Sequence, residues 1–244
     1  MTNTELYLYA KAKNGSGGGS SDAEQMLKGI IEGTIRELVI PNNVTSIRDY
    51  AFYIYPNLTS VTIGNSVTTI GNYVFNWCES LTSVTIGNSV TTIGEAAFAD
   101  CTSLTSVTIG NSVTTISEGA FADCTSLTSV TIPNSVTTIS EDAFYFCTSL
   151  TSVTIPNSVT TISRYAFHNC ESLENVTIGN GFNADNLDLS YSTLYSVDTL
   201  VGMLNALADR TGLSAYTLKL GSTNLGKLSN EQIAIATEKN WTLA

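Results

Sequence analysis

A 23-residue unit recurs almost unchanged through the middle of this 244-residue chain. One copy reads Leu104-Thr105-Ser106-Val107-Thr108-Ile109-Gly110-Asn111-Ser112-Val113-Thr114-Thr115-Ile116-Ser117-Glu118-Gly119-Ala120-Phe121-Ala122-Asp123-Cys124-Thr125-Ser126, and the phenylalanines of successive copies fall at Phe52, Phe75, Phe98, Phe121, Phe144 and Phe167. A fixed period in the twenties constrains the fold more than any other feature. No single unit can bury its apolar face, so stacked neighbours must bury it, and the chain grows along one axis as a solenoid. The size rule that splits long globular chains into domains does not apply to such an array.

Within each unit the alternation of Leu-x-x-Val-x-Ile puts Val and Ile inward and Ser and Thr outward, as a half-buried strand demands. Gly-Asn or Pro-Asn follows (Pro41-Asn42, Gly64-Asn65, Gly87-Asn88, Gly110-Asn111, Pro133-Asn134, Pro156-Asn157, Gly179-Asn180), which is turn chemistry, and asparagines stacked there can hydrogen-bond from rung to rung. A second short extended piece carries Val113 and Ile116 in the copy above, and the Ala-Phe segment reads as one turn of α- or 3₁₀-helix. Eight inward columns result: Leu, Val, Ile, Val, Ile, Ala, Phe and Cys. Each fully buried aliphatic or aromatic member contributes about 1.5–3 kcal/mol. The expected fold is a right-handed repeat solenoid of parallel strands, mainly β with short helical turns.

Residues 1–20 end in Gly15-Ser16-Gly17-Gly18-Gly19-Ser20, a flexible linker by composition. Residues 21–34 carry a capping-box pattern, Ser21 with Glu24, followed by Met26, Leu27, Ile30 and Ile31 at helical spacing, and predict a capping helix from about Asp22 to Glu32. The solenoid spans 35–182, beginning with Ile35, Leu38 and Ile40. After Phe182 the period stops, with Asp185 where an inward Ile should stand. Residues 183–244 predict strands at Leu187–Leu189, Thr217–Leu220 and Trp241–Leu243 and helices over 197–208 and 229–239, a strand–helix cap that continues the same sheet and closes the solenoid.

The formal charge is −11, and no Lys or Arg occurs between Asp49 and Ser163. This argues against nucleic acid or an anionic membrane as partner, since both need clustered basic residues, and no apolar run approaches membrane-spanning length. Residues Met1 to Tyr9 lack the basic start and apolar core of a secretory signal. The five cysteines, Cys78, Cys101, Cys124, Cys147 and Cys170, share one repeat position. In register they would stand about 4.8 Å apart with parallel side chains, whereas a disulfide needs Cβ atoms about 3.8 Å apart. They read as a buried thiol column that packs as a small hydrophobe.

These residues resemble the BspA-like class of bacterial leucine-rich repeats, over roughly Ile35 to Phe182. The resemblance implies a surface or secreted protein that adheres to other proteins and cells; periodicity alone shows only a solenoid.

No catalytic constellation is visible, and neither a metal nor a cofactor is expected. His168 is the only histidine, in a variable column read as exposed, and Gly15–Gly19 lacks the Lys-Ser or Lys-Thr of a phosphate loop. Glu95, Glu118 and Glu141 stack in one column and Asp100 and Asp123 in another; they read as a solvated acidic face rather than a calcium site, since no ligand-loop motif accompanies them. The positions flanking Ala-Phe vary most between repeats, with aromatics gathered at both ends of the array. Tyr50, Tyr53, Tyr73, Trp77, Tyr145, Phe146, Tyr165 and His168 form the candidate binding surface, because exposed aromatics are typical contact anchors; the competing reading has them packing on caps or neighbouring turns. The Ser/Thr strand face is the other candidate contact surface. The expectation is a non-enzymatic scaffold that binds a protein or glycan on a cell surface or matrix, located outside the cell or at its surface. The alternatives are a receptor-binding module of a phage or prophage tail, and a passive spacer.

Overall fold

The computed structural model describes residues 34, 36–40 and 42–244. The expected linker and capping helix, with Ile35 and Pro41, lie outside the described residues. Strands β1 (Glu37–Ile40), β3 (Ser60–Ile63), β5 (Ser83–Thr85), β7 (Ser106–Thr108), β9 (Ser129–Thr131), β11 (Ser152–Ile155) and β13 (Asn175–Ile178) pair in that order into a seven-stranded parallel sheet. The two-residue strands β2 (Ser46–Ile47), β4 (Thr69–Ile70), β6 (Thr92–Ile93), β8 (Thr115–Ile116), β10 (Thr138–Ile139) and β12 (Thr161–Ile162) form a second parallel sheet. Equivalent repeat positions pair throughout, Val61 with Val84 and Ile70 with Ile93, so the sequence period is the register. This is the stacked-strand architecture of a leucine-rich-repeat solenoid.

The eight inward columns fill one continuous core. The phenylalanine rings stack face to face, with centroids 5.1–5.4 Å apart and planes within 10° of parallel from Phe52 to Phe167. Outside, threonine hydroxyls run along the axis. Thr82 Oγ1 donates to the Thr59 carbonyl at 2.9 Å and Thr105 Oγ1 to the Thr82 carbonyl at 3.0 Å, while Thr91 and Thr114 belong to a second such ladder. The asparagine ladder also forms. The N–H groups of Asn65, Asn88 and Asn111 each donate to the side-chain oxygen of the asparagine one rung earlier, at 3.1, 2.8 and 3.0 Å.

The Ala-Phe segment is not a helical turn, contrary to the expectation. Its N–H groups alternate between two jobs. Those of Tyr50, Phe52 and Ile54 donate across to the carbonyls of Asn72, Val74 and Asn76 at 2.9 Å, while those of Ala51 and Tyr53 close local turns. The residues two before and two after each phenylalanine take positive φ, as at Tyr50 (59°) and Ile54 (55°), which no right-handed helix permits. At every other residue a bond to the next rung stands where a helical turn would bond within the segment.

The cysteines form the buried column expected of them, and each thiol has a partner. The S–H of Cys124 donates to the Phe98 carbonyl and that of Cys147 to the Phe121 carbonyl, both at 3.2 Å. All five are free and buried. Burial pushes the Cys78 and Cys170 thiols up to about 12 and the other three well above their usual range. In the native protein the thiols are therefore expected to resist a water-soluble alkylating reagent at pH 8 and to react fully in denaturant. The linkage has a definite sign. A thiol whose folded pKa is raised stabilises the fold fully below its unfolded value near 9, and that contribution is lost progressively as pH rises toward about 12. Denaturant midpoints measured from pH 8 to 11 should fall, and a flat profile would contradict the burial of the column.

Beyond β13 the cap carries the expected strands and helices, but it does not continue the seven-stranded sheet. Strands β14 (Leu187–Asp188), β15 (Tyr216–Lys219) and β16 (Trp241–Leu243) make a separate three-stranded parallel sheet. Helix α1 (Val197–Ala206) packs against β13 instead of a further strand. The reason lies at the break in the repeat. Gly181 turns the chain at φ 77°, the carbonyl of Ala206 accepts the N–H groups of Gly181 and Phe182, and Asp185 Oδ1 accepts the N–H of Thr217 in β15. The aspartate at the place of an inward Ile thus ties the chain to the three-stranded sheet. Helix α2 (Ser222–Leu225) was not anticipated, and α3 (Asn230–Thr237) starts at a capping box of Ser229 and Gln232. No helix among the described residues is long and apolar enough to cross a membrane.

Candidate binding surface

The flank built by the Ala-Phe segments carries three variable columns, two of which lie at the positive-φ positions. The first runs Tyr50, Tyr73, Ala96, Gly119, Asp142, Tyr165 and the third Ile54, Trp77, Asp100, Asp123, Phe146, Asn169, all between 47° and 63°. Glycine, asparagine and aspartate suit this conformation, whereas aromatic residues adopt it at a cost and β-branched Ile54 is an outlier. The conformation turns these side chains away from the core. Ile54, Trp77 and Phe146 are 54%, 45% and 38% exposed.

The middle column, between the other two, is less open than expected. Tyr53 is exposed, but Asn76 is buried; its amide donates to the Ala99 carbonyl at 2.9 Å and to Asp100 Oδ2 at 3.2 Å. His168 is not a surface side chain either. It is half-buried among tyrosines, stacked on Tyr145 at 5.4 Å, edge-on to Tyr165 at 4.8 Å and 3.9 Å from the ring of Tyr191. Tyr191 comes from the cap, outside the repeat pattern, which is why column counting missed it. Ile54 had the same signal as Trp77 and belongs with the candidates.

The eight candidate residues make two patches rather than one. At the N-terminal end Tyr50 stacks on Tyr73 at 5.0 Å and meets Tyr53 edge-on at 5.6 Å, with Ile54 and Trp77 in the adjoining column. At the other end Phe146 meets Tyr145, and Tyr145, Tyr165 and the cap's Tyr191 all meet His168. Between them lie two rungs of small and acidic residues. A methyl placed on Gly119 would sit 3.9 Å from Ala122 Cβ and 4.0 Å from Ala96 Cβ, so these three positions adjoin.

The charge of this middle zone is negative. The Tyr73 hydroxyl donates to Glu95, and this bond, more than burial, pushes Tyr73 up to about 12. Burial raises the carboxyls of Asp100 and Asp123, and Asp100 adds to the rise at Asp123. Among the described residues no three acidic, histidine or cysteine side chains converge as a metal site would require.

A family model described as BspA type leucine-rich repeat region matches in six copies, over residues 32–147 and 68–193. Among solved structures, a leucine-rich repeat protein of T. pallidum is 24% identical, covers 86% of this chain and 85% of its own, and superposes with a TM-score of 0.58. A leucine-rich repeat protein from Eubacterium ventriosum is 29% identical with a TM-score of 0.55; the match spans 65% of this chain and 43% of that protein. No curated protein matches the sequence.

Proposed function

The chain belongs to the BspA-type leucine-rich repeat family, a family of binding scaffolds, and from that premise we propose that it is a non-catalytic receptor for a protein at a cell surface or in the matrix, engaging it through the aromatic flank. The observation that carries this reading is the occupancy of the positive-φ columns. The scaffold accepts Ala96, Gly119 and Asp142 where it also holds Tyr50, Tyr73 and Tyr165, so packing does not require a ring there. Bulky residues in left-handed backbone cost about 1–2 kcal/mol each relative to glycine, and such strain is retained where it serves a site. Rings with two rotatable bonds present large contact area at small entropic cost. The Ser/Thr strand face offers no comparable anchors; its exposed columns are nearly uniform.

The test is staining of intact cells and matrix with fluorescently labelled protein, comparing bacterial strains with epithelial cells. The expected result is saturable staining of one of these surfaces, with the double variant Tyr73→Ala/Trp77→Ala losing about 2 kcal/mol of affinity, roughly thirtyfold, while melting close to the wild type. Unchanged affinity in that variant would move the contact to the strand face. Loss of staining after glycosidase treatment but not protease treatment would replace the protein target with a glycan.

A further inference from the structure

We propose that the flank receives an extended basic segment of its partner protein, with an Arg or Lys side chain seated over Ala96, Gly119 and Ala122 between the glutamate and aspartate columns, and with neighbouring apolar residues resting on the two aromatic patches. The inference rests on the flank being the contact face and names what it takes.

Shape supplies the first argument. The two middle rungs lose their side chains where the outer rungs carry rings, leaving a shallow trough between two aromatic ridges. Measured along the phenylalanine column, the rungs of Trp77 and Phe146 are three steps of 5.2–5.4 Å apart. An extended chain rising about 3.3 Å per residue crosses that gap in about five residues. Side chains of an extended chain alternate faces, so apolar anchors at the first and fifth residues, four positions apart, with a basic residue midway on the same face, match the surface.

Charge supplies the second. Glu95 and Glu118 line one side of the trough and Asp100 and Asp123 the other, and from Asp49 to Ser163 the chain offers no cation of its own. A neutral partner would shield these carboxylates from water without compensating them, which is costly. A free divalent ion needs several oxygens converging on one point, and that convergence is absent among the described residues. A side-chain cation held by its own backbone needs no such cage.

The protein itself shows how the surface holds a guanidinium. Arg164 occupies the next position of the glutamate column. Its Nε lies 3.9 Å from Glu141 Oε1, and its Cζ sits 4.9 Å above the ring of Tyr165. Acid and ring flank one cation at the edge of the C-terminal patch, the same combination the trough offers to a partner.

The experiment titrates the protein with a short synthetic peptide carrying two apolar residues four positions apart with Arg midway between them, and with a companion in which Gln replaces the Arg. Trp241 is buried, so a change in tryptophan emission on binding reports Trp77. The Arg peptide is expected to bind saturably and to weaken as salt rises, and the Gln peptide to bind about tenfold more weakly. Asp100→Asn/Asp123→Asn should reduce affinity for the Arg peptide about tenfold and leave the Gln peptide unchanged. Both aspartates sit at positive φ, where asparagine is equally at home, so this variant keeps the fold. Equal binding of the two peptides, or full affinity of the double Asn variant for the Arg peptide, would overturn the proposal. Cell staining separates it from the broader reading. A target that ignores Asp100→Asn/Asp123→Asn but is lost with Tyr73→Ala/Trp77→Ala leaves the flank as contact face and removes the basic segment.

Discussion

Phe121→Ala is expected to destabilise the protein by about 3–5 kcal/mol, read as a fall in the midpoint of urea or thermal unfolding. Phe121 is fully buried and lies between Phe98 and Phe144, with centroids 5.3 and 5.4 Å away and planes within 7° of parallel. Alanine leaves a ring-sized void that neither neighbour can fill, because each ring is fixed by its own rung. The backbone is not the cause of the loss. The Phe121 N–H donates to the Ala143 carbonyl and its carbonyl accepts from the Cys147 thiol, and both bonds are available to alanine. Position along the array then orders the effects. Phe52 stacks on only one repeat phenylalanine, Phe75, so Phe52→Ala should cost less than Phe121→Ala. In a chain whose rungs touch only their neighbours, a central break also divides one cooperative unit into two. Unfolding of Phe121→Ala should therefore broaden as well as shift. A midpoint near that of the wild type, or equal losses at Phe52 and Phe121, would contradict a continuous ring column.

The inward columns were legible because a residue type repeated every 23 positions leaves only one face of each rung to serve. The flank was less legible, and the reason is conformational. Tyr50, Ile54, Tyr73 and Trp77 report a side chain and not the sign of φ, so the segment read as a helical turn. A signal was present in the same columns: Gly119, Asp100, Asp123, Asp142 and Asn169 are residue types that tolerate left-handed backbone, and together they mark two positions four residues apart. The cap's separate sheet could not be read at all. Leu187 and Leu189 alternate as any strand would, and nothing in alternation tells which neighbour a strand will pair with. Asp185 was recognised as a departure from the pattern, but that its carboxylate binds the N–H of Thr217 is a fact of three dimensions. Tyr191 was missed for a related reason, since it reaches His168 from a segment that obeys no period.

The contrast between the two kinds of column bears on function. Columns that face the core, and those whose threonine or asparagine side chains bond along the axis, are fixed by the stacking itself. The two positive-φ columns of the flank bond along the axis mainly through backbone N–H groups, which every residue but proline supplies, with the Tyr73 hydroxyl on Glu95 and the Asn76 amide on Asp100 as side-chain exceptions. Most side chains there answer to no demand of the scaffold, and a solenoid of this kind can alter what it presents without altering how it stands. The placement of rings at both ends and acids between them is therefore a property of the surface rather than of the fold.

The second large effect is expected at a residue with no side chain. Gly110→Ala should cost about 3 kcal/mol, because a Cβ at this position would lie 2.2 Å from the carbonyl oxygen of Gly87 and 2.7 Å from its carbon. Both are backbone atoms and cannot rotate aside, so the two rungs must part, and the bond from the Asn111 N–H to Asn88 Oδ1 at 3.0 Å parts with them. Turn chemistry, the reason the sequence suggested for this glycine, does not account for it. Gly110 is not among the glycines at positive φ, and its carbonyl closes the turn to Val113 as that of Pro133 closes the turn to Val136, at 3.2 and 3.0 Å. What glycine supplies is closeness of approach between rungs. The control is Gly202→Ala in the middle of α1, where an added Cβ meets nothing within 4 Å. There alanine removes the entropic cost of a helical glycine and should raise stability by about 0.5–1 kcal/mol. Opposite signs for the same chemical change, measured in one denaturant series, would place the loss at Gly110 in the contact between rungs; a loss of only a few tenths at Gly110 would mean that the stack accommodates a Cβ there as it accommodates the ring of Pro133 in the same column.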